Sequence, residues 1–447
     1  MIVMKFGGSS VRDADMFRRV ASIIKGRKKR KPIVVVSACQ GITDLLLKSI
    51  EESIKGELKA YNEIEKKHHA IIKELGLDRN LVEKELNELK NVLIANTVIK
   101  EKGPRIKDYI AFFGERISSK ILAAVLCARG EKAQAFDSGD LGLITDSTYT
   151  NAKILETSYD LMKQRLLPII QKGIIPVITG FGGKDKTGEY TTFQRGGSDY
   201  VASLFGAALD CDEIEIWTDV SGIFSADPRI VASAKSIREI SFEEASELAY
   251  FGAKVLHPKT ILPAVEKNIP VVVLNTFEPQ HHGTRVISQP TIREDRIVKA
   301  ITHKKGITVI EIKSTRMLDA YGYLAKVFAI FEKYKKSVDM LATSEVKISL
   351  TIDSEENVEK IENELRSIAE VRVLHKQAII YAVGEGVKNS SKLAAQLFKT
   401  LENANIKAHM ASLCYDSISM GIIVDEQKAT EAVRALHAEL IEKNKLI

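Results

Sequence analysis

MIVMKFGGSSV, Met1 to Val11, runs from an apolar stretch through one lysine into two glycines, two serines and the start of a helical pattern. Ile2–Phe6 reads as a buried strand. Ala14–Ile24 reads as a helix, with Met16, Val20, Ile23 and Ile24 on one face. Pro32–Ala38 (PIVVVSA) is a second continuous apolar strand. Strands without polar alternation, separated by helices, predict a mostly parallel sheet covered on both faces. Ligands in such sheets sit beyond the carboxyl ends of the strands, where Lys5 falls.

The pattern continues outward. Residues 44–100 are charged and mostly helical, and Ile110–Leu126 is helical again. Short strands follow at Ala133–Phe136, Ile174–Thr179, Glu213–Thr218 and Ile269–Leu274. After about residue 290 the chain repeats itself with a period of about 70 residues, each half strand–helix–strand–strand–helix. That order is ferredoxin-like. The second half lacks a clear last strand, and Ile297–His303 can supply it, which would interleave the halves. The expected limits are 1–292 for an αβα domain, 293–376 and 377–447 for the two repeats.

Bulk properties exclude several classes. The chain has 447 residues, 45% hydrophobic and 28% charged, which fits a soluble protein of several domains. Its formal charge is +6, and the densest basic run, Lys25–Lys31 (KGRKKRK), lies between a helix and a strand. It reads as a solvated helix end rather than a nucleic-acid site. Cys39, Cys127, Cys211 and Cys414 have no metal-like spacing, and a reduced cytoplasmic setting suits them. No apolar run reaches about 18 residues, so no membrane span is expected, and a glycine-rich turn interrupts the N-terminus after six residues, so no leader is expected either. The pair His281-His282 lacks partners at helical spacing.

Three glycine-rich segments can meet an anion. Lys5-Phe-Gly7-Gly8-Ser9-Ser10 offers close backbone approach, a hydroxyl and a full positive charge. Phe181–Gly183 is by itself only a turn. Arg195-Gly-Gly-Ser-Asp199 opens a helix, where Arg195 suits a carboxylate or phosphate clamp, although Ser198 or Asp199 can simply cap the helix. WTDVSGIFSADPR (Trp217–Arg229) runs from strand to loop, and FGAKVLHP (Phe251–Pro258) places Lys254 near a helix end. His257 beside Pro258 reads as structural. A P-loop motif and a protein-kinase catalytic loop are both lacking.

KFGGSSV, SACQGITD, FGERIS, QRGGSDY, WTDVSGIFSADPR, FGAKVLHP and SVDMLATSEVKISLTID together resemble the aspartate kinases, over nearly the whole chain and in order. The resemblance implies a three-layer αβα amino-acid-kinase domain followed by two ferredoxin-like ACT domains. It implies transfer of phosphate from ATP, with Mg²⁺ held mainly by phosphates and water, to the side chain of L-aspartate. A carboxylate with a solution pKa of about 4 is ionised at neutral pH and needs no general base. Positioning and charge neutralisation are then the catalytic task.

Lys5 and Lys254 would be the cations, with Asp199 between them. Arg195, Thr43, Glu115 and Ser37 would hold aspartate, Glu115 by its ammonium. Gly7, Gly8, Ser9, Thr218, Asp219, Phe224, Asp227, Arg229 and Val255 would complete the ATP site with the two lysines. In the repeat, Met317, Ala320, Leu324, Val338, Asp339, Ser344 and Glu345 would bind an effector, lysine or threonine. Ala320 replaces a serine of some lysine-inhibited relatives, and Ser9 replaces the usual threonine. Homo-oligomerisation through the ACT pair is expected, with no nucleic acid or membrane partner. Rival readings are a kinase of the same fold acting on another acceptor, or a non-catalytic amino-acid-binding regulator. Lys5→Ala is expected to cost activity but little stability.

Overall fold

The computed structural model describes residues 1–194, 196–251, 256–290, 297–317 and 321–443. The chain forms two compact units. One comprises Met1–Ile223, Arg238–Phe242 and Val255–Pro290; the other comprises Phe224–Ile237, Glu243–Lys254 and Thr291–Ile447.

The first unit is built on an eight-stranded sheet. Its strands run in the order Ala133–Phe136, Ile175–Thr179, Pro32–Val36, Ile2–Phe6, Glu213–Thr218, Val271–Asn275, Thr284–Ile287, Glu239–Ser241. Pairing is parallel except between Val271–Asn275 and Thr284–Ile287. Ile2, Val3, Met4 and Phe6 are fully buried, as a strand apolar on both faces requires. Pro32–Val36 and Glu213–Thr218 flank this first strand on opposite sides, which makes it the point where the strand order reverses.

The charged stretch forms the helices Ile42–Ser53, Lys59–Leu75 and Glu83–Ile99. The next helical region is two helices rather than one: Pro104–Ala111 and Phe113–Ala128 meet at Phe112. Pro104 starts the first, where its missing N–H has no intrahelical partner to lose. Gly114 lies so near the Ser37–Cys39 loop that a Cβ on it would come within 2.5 Å of the Ala38 methyl.

The run KGRKKRK is mostly exposed, as a solvated helix end should be, but three of its side chains reach buried carboxylates. Lys28 pairs with Glu131 at 2.6 Å, Arg30 with Glu213 at 2.8 Å and Arg27 with Glu215 at 3.0 Å. All three carboxylates are buried. Arg27 and Arg30 compensate the charges of Glu215 and Glu213 on an inner strand, and Lys28 that of Glu131 in a loop.

In the second unit a six-stranded antiparallel sheet runs Leu341–Thr343, Lys347–Ile352, Ala300–Lys313, Glu370–Val383, Ser419–Asp425, Met410–Ser412. Two 14-residue strands, Ala300–Lys313 and Glu370–Val383, pair along nearly their whole length. The opening residues Ala300–Lys304 lie opposite Ile379–Val383, the half of the partner strand that also pairs with Ser419–Asp425. Helices Tyr323–Lys333 and Val358–Arg366 cover one apolar core around Ile310, Phe331 and Leu350. Ser391–Asn403 and Ala429–His437 cover another around Ile380, Leu397 and Ile422, which also takes in Ala226 and Val231.

Candidate functional site

The parallel strands of the first unit end at nearly the same level. Phe6 lies opposite Val36 and Trp217, Val36 opposite Thr179, and Trp217 opposite Leu274. The turns beyond continue the ladder. Gly7 N–H donates to Trp217 O at 3.2 Å, Ser37 N–H to Phe6 O at 3.0 Å, Gly180 N–H to Val36 O at 2.8 Å and Thr276 N–H to Thr218 O at 2.8 Å. Ser10 Oγ lies 2.7 Å from Thr276 Oγ1.

Glycine is required at two of these turns by contact. A Cβ on Gly8 would stand 2.9 Å from Ala38 O. One on Gly180 would stand 2.5 Å from Ser198 Oγ and 2.8 Å from Val36 O. Backbones therefore approach one another here as they can approach a ligand.

Helix Gly197–Ala208 starts at the same place, after Gly196 at φ +83°. Asp199 in its first turn complements the helix dipole. Lys5 Nζ lies 2.6 Å from Asp199 Oδ1, and each side chain is only 12% exposed. Residues 194 apart in sequence thus form a sheltered ion pair at the end of the central strand. Ser37 Oγ donates to Ser198 Oγ at 3.0 Å, and Ser118 Oγ donates to Ser37 O at 2.7 Å.

Glu115 enters from the first turn of helix Phe113–Ala128. Its Oε1 accepts from Ala38 N–H at 3.0 Å, while the buried Oε2 has no hydrogen-bond partner. Burial pushes this carboxyl up to about 8, against which the Ala38 hydrogen bond works only partly. An enclosed carboxylate with one oxygen unfilled is suited to an incoming cation.

Thr43, half-buried, opens helix Ile42–Ser53 after Gly41, and Ser9, also half-buried, lies in the short turn Gly8–Val11. Thr218 Oγ1 donates to exposed Asp219 at 3.1 Å. Phe224, Asp227 and Arg229 belong to the second unit. There Phe224 bridges Ser236, and Asp227 accepts from both the N–H and the guanidinium of exposed Arg229. The Arg229 hydrogen bond holds the Asp227 carboxyl below its ordinary value.

Of the effector residues, Met317 and Val338 are half-buried and Leu324 is exposed. Ser344 and Glu345 sit in the exposed hairpin turn, and the Asp339 carboxylate is enclosed between Tyr250 and Lys304. Arg195, Lys254, Val255 and Ala320 lie outside the described residues.

In the sequence Ser198 has no role beyond capping a helix and Gly180 has none. Ser198 reads as a helix cap until its partner Ser37, 161 residues away, comes into view. Gly180 precedes a segment read as a turn, and only its packing gives it meaning. His281 Nδ1 accepts from Gly283 N–H at 3.0 Å, a local turn contact. Among the described residues no group of three or more His, Cys, Asp or Glu could hold a metal ion, and no helix is long and apolar enough to cross a membrane.

The site thus offers a sheltered lysine at a glycine-rich strand end, a carboxylate beside it, and a buried acid awaiting a cation. It suits a ligand carrying both negative groups and an ammonium. Residues 1–275 match the amino acid kinase family, and residues 380–440 an ACT domain. Aspartokinase 1, chloroplastic, of Arabidopsis thaliana is 38% identical over 99% of this chain and 81% of its own length. Aspartokinase III of E. coli in complex with lysine and aspartate (T-state) superposes with a TM-score of 0.83 at 32% identity, over 99% of both chains. The same enzyme with aspartate and ADP (R-state) gives 0.80 at 32% identity, over 98% of this chain and 99% of that one.

Proposed function

The chain belongs to the amino acid kinase family and, within it, to the aspartokinases, and from that premise we propose how its residues divide the work. It is an aspartate kinase, transferring the terminal phosphoryl group of ATP to the side-chain carboxylate of L-aspartate. The observation that carries the assignment of roles is Glu115, buried with one oxygen unfilled. It receives the substrate ammonium, which restores the charge that burial suppresses. Thr43, Ser37 and Arg195 hold the rest of aspartate.

Lys5 then faces the transferring group. The nucleophile is already an anion, so the chemistry consists of bringing two anions together in line. Lys5 offsets the developing charge, Asp199 fixes its ammonium, and Gly7, Gly8 and Ser9 provide close polar contacts. Lys254 is the second cation. Thr218, Asp219, Phe224, Asp227, Arg229 and Val255 line the nucleotide. Mg²⁺ supplies further charge neutralisation and is carried by the phosphates of ATP and by water, as suits a hard ion that keeps much of its hydration.

The ACT repeat senses an end-product amino acid and assembles the homo-oligomer. Lysine is the first candidate because the chain is similar to an enzyme solved with lysine; threonine is the second. Domain limits of 1–292, 293–376 and 377–447, and a cytoplasmic setting, complete the proposal.

A coupled ADP-release assay across L-aspartate, L-glutamate, N-acetylglutamate, carbamate and UMP tests the activity. Preference for any acceptor other than aspartate would overturn it. Repeating the assay with lysine, threonine and methionine tests the sensing role.

A further inference from the structure

Of the motif FGERIS, the roles given above use Glu115 alone. Three of its residues meet one short loop, Ser37–Cys39, between the strand Pro32–Val36 and the helix Ile42–Ser53. Gly114 packs so closely on Ala38 that a Cβ would come within 2.5 Å of its methyl. Glu115 Oε1 accepts from Ala38 N–H at 3.0 Å. Ser118, with no exposed surface, donates from Oγ to Ser37 O at 2.7 Å. The same hydroxyl lies 3.2 Å from Glu115 O, the longer and weaker of its two contacts. Positions three and four apart lie on one face of a helix, so a single turn presents all three residues.

Ser37 O and Ala38 N–H belong to the same peptide group. That group is planar and rigid, so the direction of its carbonyl sets the direction of its N–H. Ser118 therefore holds one end of the plane and Glu115 the other. The flanks of the loop are held by the central strand and its turn: Ser37 N–H donates to Phe6 O at 3.0 Å, and Gln40 N–H to Gly8 O at 3.1 Å. Between those two anchors the plane can still rotate about the single bonds on either side of it, and the Ser118 bond opposes that rotation. A rotated plane would withdraw its N–H from Glu115 and leave Oε1, like Oε2, unfilled.

We propose that Ser118 is a positioning residue for aspartate: by holding the Ser37–Ala38 peptide it keeps Glu115 Oε1 engaged, and so presents Oε2 in one orientation to the substrate ammonium. The inference rests on the role proposed above for Glu115. Ser119 supplies the comparison. It is also buried, yet its Oγ donates to Arg116 O at 3.0 Å within the same helix. The pair separates a buried hydroxyl as such from one that holds the loop.

The test compares Ser118→Ala with Ser119→Ala in the full chain, by coupled ADP release. Ser118→Ala should raise the KM for aspartate about 5–20-fold and leave the KM for ATP within about twofold, since a buried carbonyl loses its donor and the plane is freed. Ser119→Ala should move neither constant by more than about twofold. Ser118→Cys, close in shape but a weaker donor, should fall between parent and Ser118→Ala, and carries the test if the alanine variant does not fold. In a Glu115→Gln background, Ser118→Ala should add no more than about a twofold rise, because it acts through that side chain. An unchanged KM for aspartate in both Ser118 variants, an equal rise in the KM for ATP, an equal effect of Ser119→Ala, or full additivity with Glu115→Gln would overturn the proposal. If Glu115→Gln itself leaves the KM for aspartate unchanged, the reading of Glu115 fails, and the proposal falls with it.

Discussion

Replacing Glu115 by glutamine separates binding from stability in one experiment. Burial raises this carboxyl from 4.5 to about 8. Between those values the folded protein keeps a proton that the unfolded chain has released. Stability therefore falls as pH rises through that window. At pH 7 the cost is on the order of 3 kcal/mol, and at pH 5 it is under about 1 kcal/mol.

Glutamine keeps an oxygen for Ala38 N–H and cannot ionise. Glu115→Gln should therefore raise the melting temperature at pH 8 and barely change it at pH 5. Aspartate binding should suffer in return. Loss of a charged hydrogen bond worth ~1.5–3 kcal/mol implies an aspartate KM about 10–150-fold higher, with the KM for ATP little changed.

Calorimetry in buffers of different ionisation heat gives a third reading. With Glu115 near 8, aspartate should expel about nine-tenths of a proton at pH 7 from the unaltered protein, and much less from the variant. An unchanged aspartate KM, or a variant less stable at pH 8 than at pH 5 relative to the parent, would refute the reasoning.

Lys5→Ala should lower turnover by roughly 10²–10³. The sequence reading expected it to spare stability, but the lysine shields buried Asp199; urea unfolding should now show a loss of about 3–5 kcal/mol, which Lys5→Ala with Asp199→Asn should partly recover. Gly180→Ala drives a methyl against Ser198 Oγ and Val36 O, and should cost about 1–3 kcal/mol in the same unfolding assay along with activity. Asp339→Ala should weaken inhibition by lysine or threonine in an ADP-release titration, and inhibition as strong as in the unaltered protein would remove Asp339 from the effector site.

The parallel sheet was legible because its strands are apolar on both faces, whereas a glycine pair at a strand end reads equally as a plain turn and gained meaning only beside Lys5 and within the ordered set of motifs. The length of the strand Ala300–Lys313 was not legible. Ile297–His303 and the segment that begins at Gly306 read as two separate strands, yet a single strand runs through both, with register shifts around Ile307 and Gly306 at φ +73°. The break at Phe112 was equally hidden, since neither glycine nor proline marks the joint.

In the site, residue types were readable and their surroundings were not. Lys5 carried a charge in the sequence but gave no hint of its shelter. The family resemblance singled out Glu115, but its burial and its unfilled oxygen were not legible. The enclosure of Asp339 by Tyr250 depends on two strangers in sequence meeting through the fold.

The passage of the chain back and forth between its two units bears on recombination. Segments 224–237 and 243–254 are grouped with the carboxy-terminal part, and Ala226 and Val231 lie inside its core. A gene fusion joined at a single crossover near residue 292 would pair those segments with a foreign regulatory half and leave their contacts mismatched. Deleting everything beyond residue 295 would expose the apolar surface packed around Ala226 and Val231 as well as remove the proposed sensor. A chimera meant to exchange the proposed effector response should therefore carry three stretches from one parent, a discontinuous module rather than an appended one.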